Sequence, residues 1–251
     1  ITNIDRDHLD YYKDIYDIQN AFIELVKKIP SDGFLVCDFL NKNLRPIIES
    51  AKCVVFDYSS IENFHFNLKV PGAHNLRNAK AAYVVGGILG VSEEKNEKYL
   101  ENFAGTWRRF ELKGEMKNGT IVYDDYAHNP PKIEAALEGA RELFPKSRIV
   151  AIFQPHLYSR TKLLFSEFGK AFSLADLIIL APIYPARELF DPNINSEMLK
   201  NEIEKNGKKV ENLNNFEEIE NYIKKNSKKD DVIITIGAGD IYKVGENILK
   251  L

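Results

Sequence analysis

Residues 120–154 read "TIVYDDYAHNPPKIEAALEGARELFPKSRIVAIFQ". A short apolar run, "TIVYDD", is followed by a helical period over 131–144 and then by a second apolar run, "RIVAIFQ". Strand, helix and strand at that spacing predict one βαβ unit. Where the first strand meets the helix, Asn129 is a strong N-cap residue, and Pro130 and Pro131 suit a first helical turn, whose N–H groups have no partner to lose. Capping explains nothing about Asp124, Asp125, Tyr126 or His128 in the same turn.

The alternation continues to the end of the chain. Apolar runs at "LIILAP", "KVENL" and "VIITIGAG" interleave with helical periods at 161–172, 196–205, 216–225 and 241–250. This predicts a Rossmann-like α/β domain over 105–251, its sheet mostly parallel and covered by helices. Upstream, apolar residues spaced three and four apart predict a helix over 15–29. Short strands are expected at 34–37 and 53–57 with a helix between them. Further helices begin near Asn75 and cover "EEKNEKYLENF", and the pattern resets near 104–106, which sets a first domain at 1–104. In open α/β sheets ligands bind outside the carboxyl ends of the strands. Four of the loops there are chemically rich: Asp124–Asn129, "QPHLYSR", "PIYPARE" and "GAGD".

The bulk composition narrows the partners. The 251 residues carry a net charge of −3, so nothing electrostatic argues for nucleic acid or an anionic membrane. No apolar run reaches membrane-spanning length and no signal peptide is visible. Cys37 and Cys53 sit in strand-like runs, which predicts free thiols in a reducing cytoplasm.

There are five histidines. His65, alternating with Phe64 and Phe66, reads as an ordinary strand residue. The other four each lie in a dense polar cluster: His8 in "NIDRDHLD", His74 in "PGAHNLRNA", His128 in "DYAHNP" and His156 in "QPHLYSR". By spacing alone the His8 cluster is either a divalent-cation site or a helix cap. Asn75 and Asn78, at i and i+3, either read a purine edge, since an amide both donates and accepts, or cap a helix. Arg108 and Arg109 in "GTWRRFE" suit phosphate oxygens or a surface ion pair equally well. No G-x-x-x-x-G-K-[ST] phosphate loop, dinucleotide fingerprint, zinc spacing or G-x-S-x-G elbow is present.

In order, these clusters resemble the Mur ligases. The stretches that carry the resemblance are "TNIDRDHLDYY" (2–12), "PGAHNLRNAKAA" (71–82), "RRFE" (108–111), "DDYAHNPPKI" (124–133), "FQPHLYSRT" (153–161), "IYPARE" (183–188) and "GAGDIYKV" (237–244). "FQPH..SRT", "YPARE" and "GAGDI" are similar to the alanine-adding members. The resemblance implies an ATP- and magnesium-dependent, cytoplasmic ligase of peptidoglycan precursor synthesis. Such an enzyme joins L-alanine to the carboxylate of UDP-N-acetylmuramate through an acyl phosphate. It further implies magnesium at His8, adenine at Asn75 and Asn78, nucleotide phosphates at Arg109, and ribose at Asp125. Tyr126, His128, His156 and Arg160 would line the amino-acid and acyl-phosphate side, with His128, His156, Arg160 and Arg109 as the catalytic set. Tyr184, Arg187 and Glu188 fall in a substrate-side motif whose individual roles the resemblance leaves open.

The resemblance starts inside the family's central ATPase domain. The phosphate loop, the glutamate that shares the metal and the UDP-sugar domain are absent from these residues, so the chain alone is expected to be inactive. The segment between Tyr58 and Val70 is shorter than in relatives, and Leu157 stands where many members have an arginine. Two alternatives stay open at this point: a related ligase that recycles murein tripeptide, and a non-catalytic module that binds nucleotide and amino acid.

Overall fold

The computed structural model, which describes residues 1–7, 11–62, 64 and 67–250, divides into two compact units, Ile1–Ala104 and Gly105–Leu251. In the first, α1 (Ile15–Val26) begins where the Asp14 carboxylate accepts the N–H groups of Tyr16 and Asp17, each at 2.9 Å. It packs Ile18 and Val26 against Leu35 and Cys37 of β1 (Phe34–Cys37), against Leu44, and against Ile47 of α2 (Arg45–Ser50). β1 runs parallel to β2 (Val54–Asp57), with Phe34 opposite Val54 and Cys37 opposite Asp57. Both cysteines are free, and burial pushes the Cys37 thiol pKa up.

α3 (Ala73–Ile88) and α4 (Glu93–Asn102) complete this unit. α3 starts two residues before Asn75, because Gly72 at φ 96° turns the chain through the left-handed region, where a Cβ would be strained. Asn75 is therefore not the cap. Its Nδ2 donates 2.7 Å back to Pro71 O and ties the entering loop to the helix.

The second unit is a six-stranded sheet in the order β3-β4-β8-β5-β6-β7. Its strands are β3 (Glu111–Glu115), β4 (Ile121–Asp125), β5 (Ile149–Phe153), β6 (Leu177–Leu180), β7 (Val210–Asn212) and β8 (Val232–Ile236). All pairs are parallel except the β3–β4 edge. The period of two in the central strands fills both faces. Ile149, Ala151 and Phe153 enter the core under α5 (Pro130–Leu143), α7 (Phe165–Lys170) and α8 (Ser196–Glu204). Val150 and Ile152 enter the core under α9 (Phe216–Asn226) and α10 (Tyr242–Ile248). At about 25 cal/mol per Å² of apolar surface removed from water, strands buried on both faces are the main favourable term in this fold.

Two features differ from the periodic expectation. β3 is a short, charged, Gly-containing edge strand with a register shift between Leu112 and Gly114, so it shows no apolar alternation. The helical period at 161–172 becomes two short helices, α6 (Tyr158–Leu163) and α7, parted at Leu164, where φ −107° and ψ 25° break the helical geometry. Among the described residues no helix is long and apolar enough to cross a membrane.

Candidate functional site

From β5 the chain moves outward through β6 to β7, then returns to place β8 between β4 and β5. That reversal sets the loops after β4, β8 and β5 side by side at the carboxyl ends of the strands. Gly237 N donates 3.0 Å to Asp125 O, and Gln154 N donates 3.0 Å to Ile236 O, which stitches the three strand ends together. The loop after β6 joins them: Tyr184 N donates 2.8 Å to Pro155 O, and Leu157 N donates 2.9 Å to Tyr184 O. Gly239 must be glycine here. A Cβ on it would lie 2.6 Å from Gln154 Oε1 and 2.9 Å from Tyr184 Cγ.

Among the described residues, four of the five non-glycine residues with positive φ belong to this rim and its approach: Arg108 (57°), Phe110 (46°), Leu157 (72°) and Ala186 (49°). Backbone strain of this kind persists only where the surroundings over-determine it, and it gathers at functional sites.

The two histidines of the rim come together. The His128 and His156 ring centroids are 6.4 Å apart, Tyr126 meets His128 edge-on at 5.5 Å, and Tyr184 stacks on His156 at 5.5 Å. His128 Nδ1 lies 2.9 Å from Tyr126 O; a carbonyl only accepts, so Nδ1 carries the ring proton and Nε2 faces Lys132 Nζ at 3.4 Å. His156 is arranged the other way. Arg160 Nη1 donates to its Nδ1 at 3.2 Å, which leaves the proton on Nε2. Burial, then the positive charges of Arg160 and Arg187, holds the His156 pKa below its ordinary value, so the ring is neutral at pH 7. The Glu188 carboxylate accepts from both the backbone N–H (3.1 Å) and the hydroxyl of Ser159, capping α6 from the neighbouring loop. Thus Tyr126, His128, His156, Arg160, Tyr184, Arg187 and Glu188 share one rim.

The paired acids and arginines of the adjoining turn separate in role. Arg108 is buried, 3% exposed, and its guanidinium is spent inside the protein on Asp124. It is not a phosphate fork. Arg109 is exposed, with its guanidinium 5.8 Å from the Tyr126 ring centroid. The Asp125 carboxylate, 8% exposed, accepts from Phe110 N at 2.8 Å and Ala127 N at 2.7 Å. Burial raises its pKa to about 6 against the opposing pull of those two N–H groups and of Arg109. Leu157, where an arginine was the comparison, is buried and makes no polar side-chain contact.

In the first unit Asn75 and Asn78 lie one turn apart at the start of α3, Asn78 exposed and Asn75 partly so. His8 and His65 lie outside the described residues. Among the described residues no group of three His, Cys, Asp or Glu side chains forms a metal site. Sequence reading missed Gln154, the buried hub against Gly239, and the split between Arg108 and Arg109; neither has a signature, because both follow from which side chain the turn directs inward.

Residues 108–239 match the Mur ligase glutamate ligase domain, and residues 1–63 match the Mur ligase middle domain. The UDP-N-acetylmuramate–L-alanine ligase of Clostridium botulinum (strain Loch Maree, type A3) is 44% identical over 277 aligned positions, which take in all of this chain and 60% of that protein. The chain thus spans about three fifths of the length of the curated relatives it matches. The crystal structure of the UDP-N-acetylmuramate–alanine ligase of Thermotoga maritima has a TM-score of 0.77 at 25% identity, over 99% of this chain and 57% of that one. The MurF ligase of Thermotoga maritima in complex with ADP shares the fold, with a TM-score of 0.74 at 17% identity over 99% of this chain and 60% of that one. With its sheet, its carboxyl-end rim and its sequence matching in both units, the chain belongs to the Mur ligase family.

Proposed function

We propose that the protein to which these residues belong is an ATP-dependent ligase that joins L-alanine to the carboxylate of UDP-N-acetylmuramate. The observation that carries this reading is the rim itself: Tyr126, His128, His156, Arg160 and Tyr184 within ring-contact or hydrogen-bond distance of one another. Its likeness to ligases of that name, 44% identical over the whole chain, supports the choice of amino acid.

The chemistry needs the acyl phosphate of the substrate and an amine held together while negative charge grows on the acyl oxygen, before phosphate leaves. A neutral His156 suits that task, because its Nε2–H donates without adding a titrating charge. Arg160 and Arg187 bring fixed positive charge to the same spot, in keeping with an amino-acid carboxylate or an acyl phosphate. On this reading Asn75 and Asn78 would meet adenine, Arg109 the phosphates and Asp125 the ribose, and His8, outside the described residues, would be a ligand to magnesium. ATP supplies the activating phosphoryl group.

In the complete enzyme, Arg160→Ala is expected to raise KM for L-alanine by about tenfold or more, the worth of one charge-assisted contact, with KM for ATP little changed. Steady-state kinetics with each substrate varied in turn checks this. An unchanged KM for L-alanine would remove Arg160 from the amino-acid side.

A further inference from the structure

Arg108 makes more contacts than an ion pair with Asp124 requires. Its Nε donates 2.8 Å to Asp124 Oδ2, its Nη1 3.1 Å to Gly239 O and its Nη2 2.6 Å to Gly237 O. The second oxygen of Asp124 accepts from Thr235 Oγ1 at 2.6 Å, so the carboxylate is itself held on β8. The guanidinium carbon lies 4.6 Å from the Tyr242 ring centroid and 5.0 Å from that of Tyr126, within cation–π range of both. The backbone of the same residue works in parallel. Arg108 O accepts from Tyr126 N at 2.7 Å, and Arg108 N donates 2.9 Å to Glu111 Oε2.

One side chain thereby connects the ends of β4 and β8 with the first residue of α10. The two carbonyls it holds matter for direction. A planar trans peptide places the N–H of the next residue opposite its carbonyl, so turning Gly237 O and Gly239 O inward turns the N–H groups of Ala238 and Asp240 away from Arg108. Here each of three nitrogens holds its own acceptor, one carboxylate and two carbonyls; a lysine ammonium carries its three donors on one nitrogen at the end of a flexible stem, so it cannot reproduce that spacing. The residue also adopts φ 57°, a conformation that a bulky side chain accepts only when held.

We propose that Arg108 is a positioning residue. It locks the turn bearing Asp125 and Tyr126 and the 237–240 loop into one rim, and so sets the geometry in which Arg109, Tyr126 and the loop amides meet substrate. The proposal rests on the ligase reading given above, and its test separates the two. Trp107, the sole tryptophan of these 251 residues, lies 5.8 Å from the guanidinium, and its emission, isolated by difference against Trp107→Phe, reports on the rim independently of turnover.

Arg108→Gly suits the left-handed backbone and leaves a guanidinium-shaped gap, while Arg108→Lys keeps the charge without the fork. In the complete ligase both are expected to lose about 100-fold in kcat, as for a displacement of about 1 Å at reacting groups. Guanidinium chloride well below denaturing concentration should restore turnover and the wild-type Trp107 emission to the glycine variant, whereas sodium chloride or urea at equal concentration should not. The lysine variant, which has no gap, should stay unrescued. Kinetics near wild type in folded Arg108→Lys would overturn the proposal. So would a loss in the glycine variant that follows only its fraction unfolded and ignores guanidinium. If the wild-type enzyme shows no amino-acid-dependent ADP release, the ligase reading fails, and the guanidinium-dependent Trp107 emission still decides the role of Arg108.

Discussion

His156, half-buried, and Asp125, buried, are titratable groups on the rim whose pKa values move in opposite directions for one reason: burial disfavours the charged form of each. For His156, burial and then the charges of Arg160 and Arg187 favour the neutral ring, so it should titrate below the ordinary 6.5. Arg160→Gln is expected to move that pKa back upward, which NMR titration of the ring protons would read directly. An unmoved value would show that Arg160 does not act on the ring. Asp125 has its folded-state pKa raised from 3.8 to about 6, mainly by burial. The stability linked to its proton is therefore fully present below about 3.8 and is lost as the pH rises through about 6. Urea unfolding across this window should show that slope in wild-type chain and lack it in Asp125→Asn, whatever the mean stability of the variant. An identical slope in both would assign it to another group.

At the scale of elements, local chemistry that depends on neighbouring residues was legible. Asn129 caps α5 as its sequence context implies, its side chain accepting from Lys132 N at 3.2 Å with Pro130 and Pro131 behind it. Asn129→Ala is expected to destabilise the unit by about 1 kcal/mol, measured as a shift in the urea midpoint at constant m-value. A change near zero would mean that the two prolines alone set the helix start. The strands buried on both faces were legible for a similar reason: nothing polar interrupts "IVAIF", and the one polar residue in "VIITI" is the small, β-branched Thr235. The edge strand β3 was not, because its alternation is lost where Gly114 shifts the register and one face is left to solvent. Nor was the latch from Glu188 to Ser159, which joins a loop to the start of α6 across 29 residues and exists only because β5 and β6 are neighbours. Likewise "RRFE" names two arginines, and only the turn at φ 57° decides that Arg108 goes inward while Arg109 stays exposed.

For the molecule as a whole, strand-helix alternation was enough to predict an α/β sheet that is mostly parallel, because each period is short and repeats. The rim was foreseeable as a set of loops, since parallel strands all end on one side. Its internal geometry was not, because ring stacking of Tyr184 on His156 and the tautomers of the two histidines follow from packing across strands. The central claim concerns what that rim selects. The most direct measurement is ADP release by the complete enzyme with UDP-N-acetylmuramate and ATP, comparing L-alanine with the murein tripeptide, and with the 251-residue chain as control. The account predicts turnover that depends on L-alanine, none with the tripeptide, and none from the 251 residues alone. Turnover that depends on the tripeptide and ignores L-alanine would contradict it.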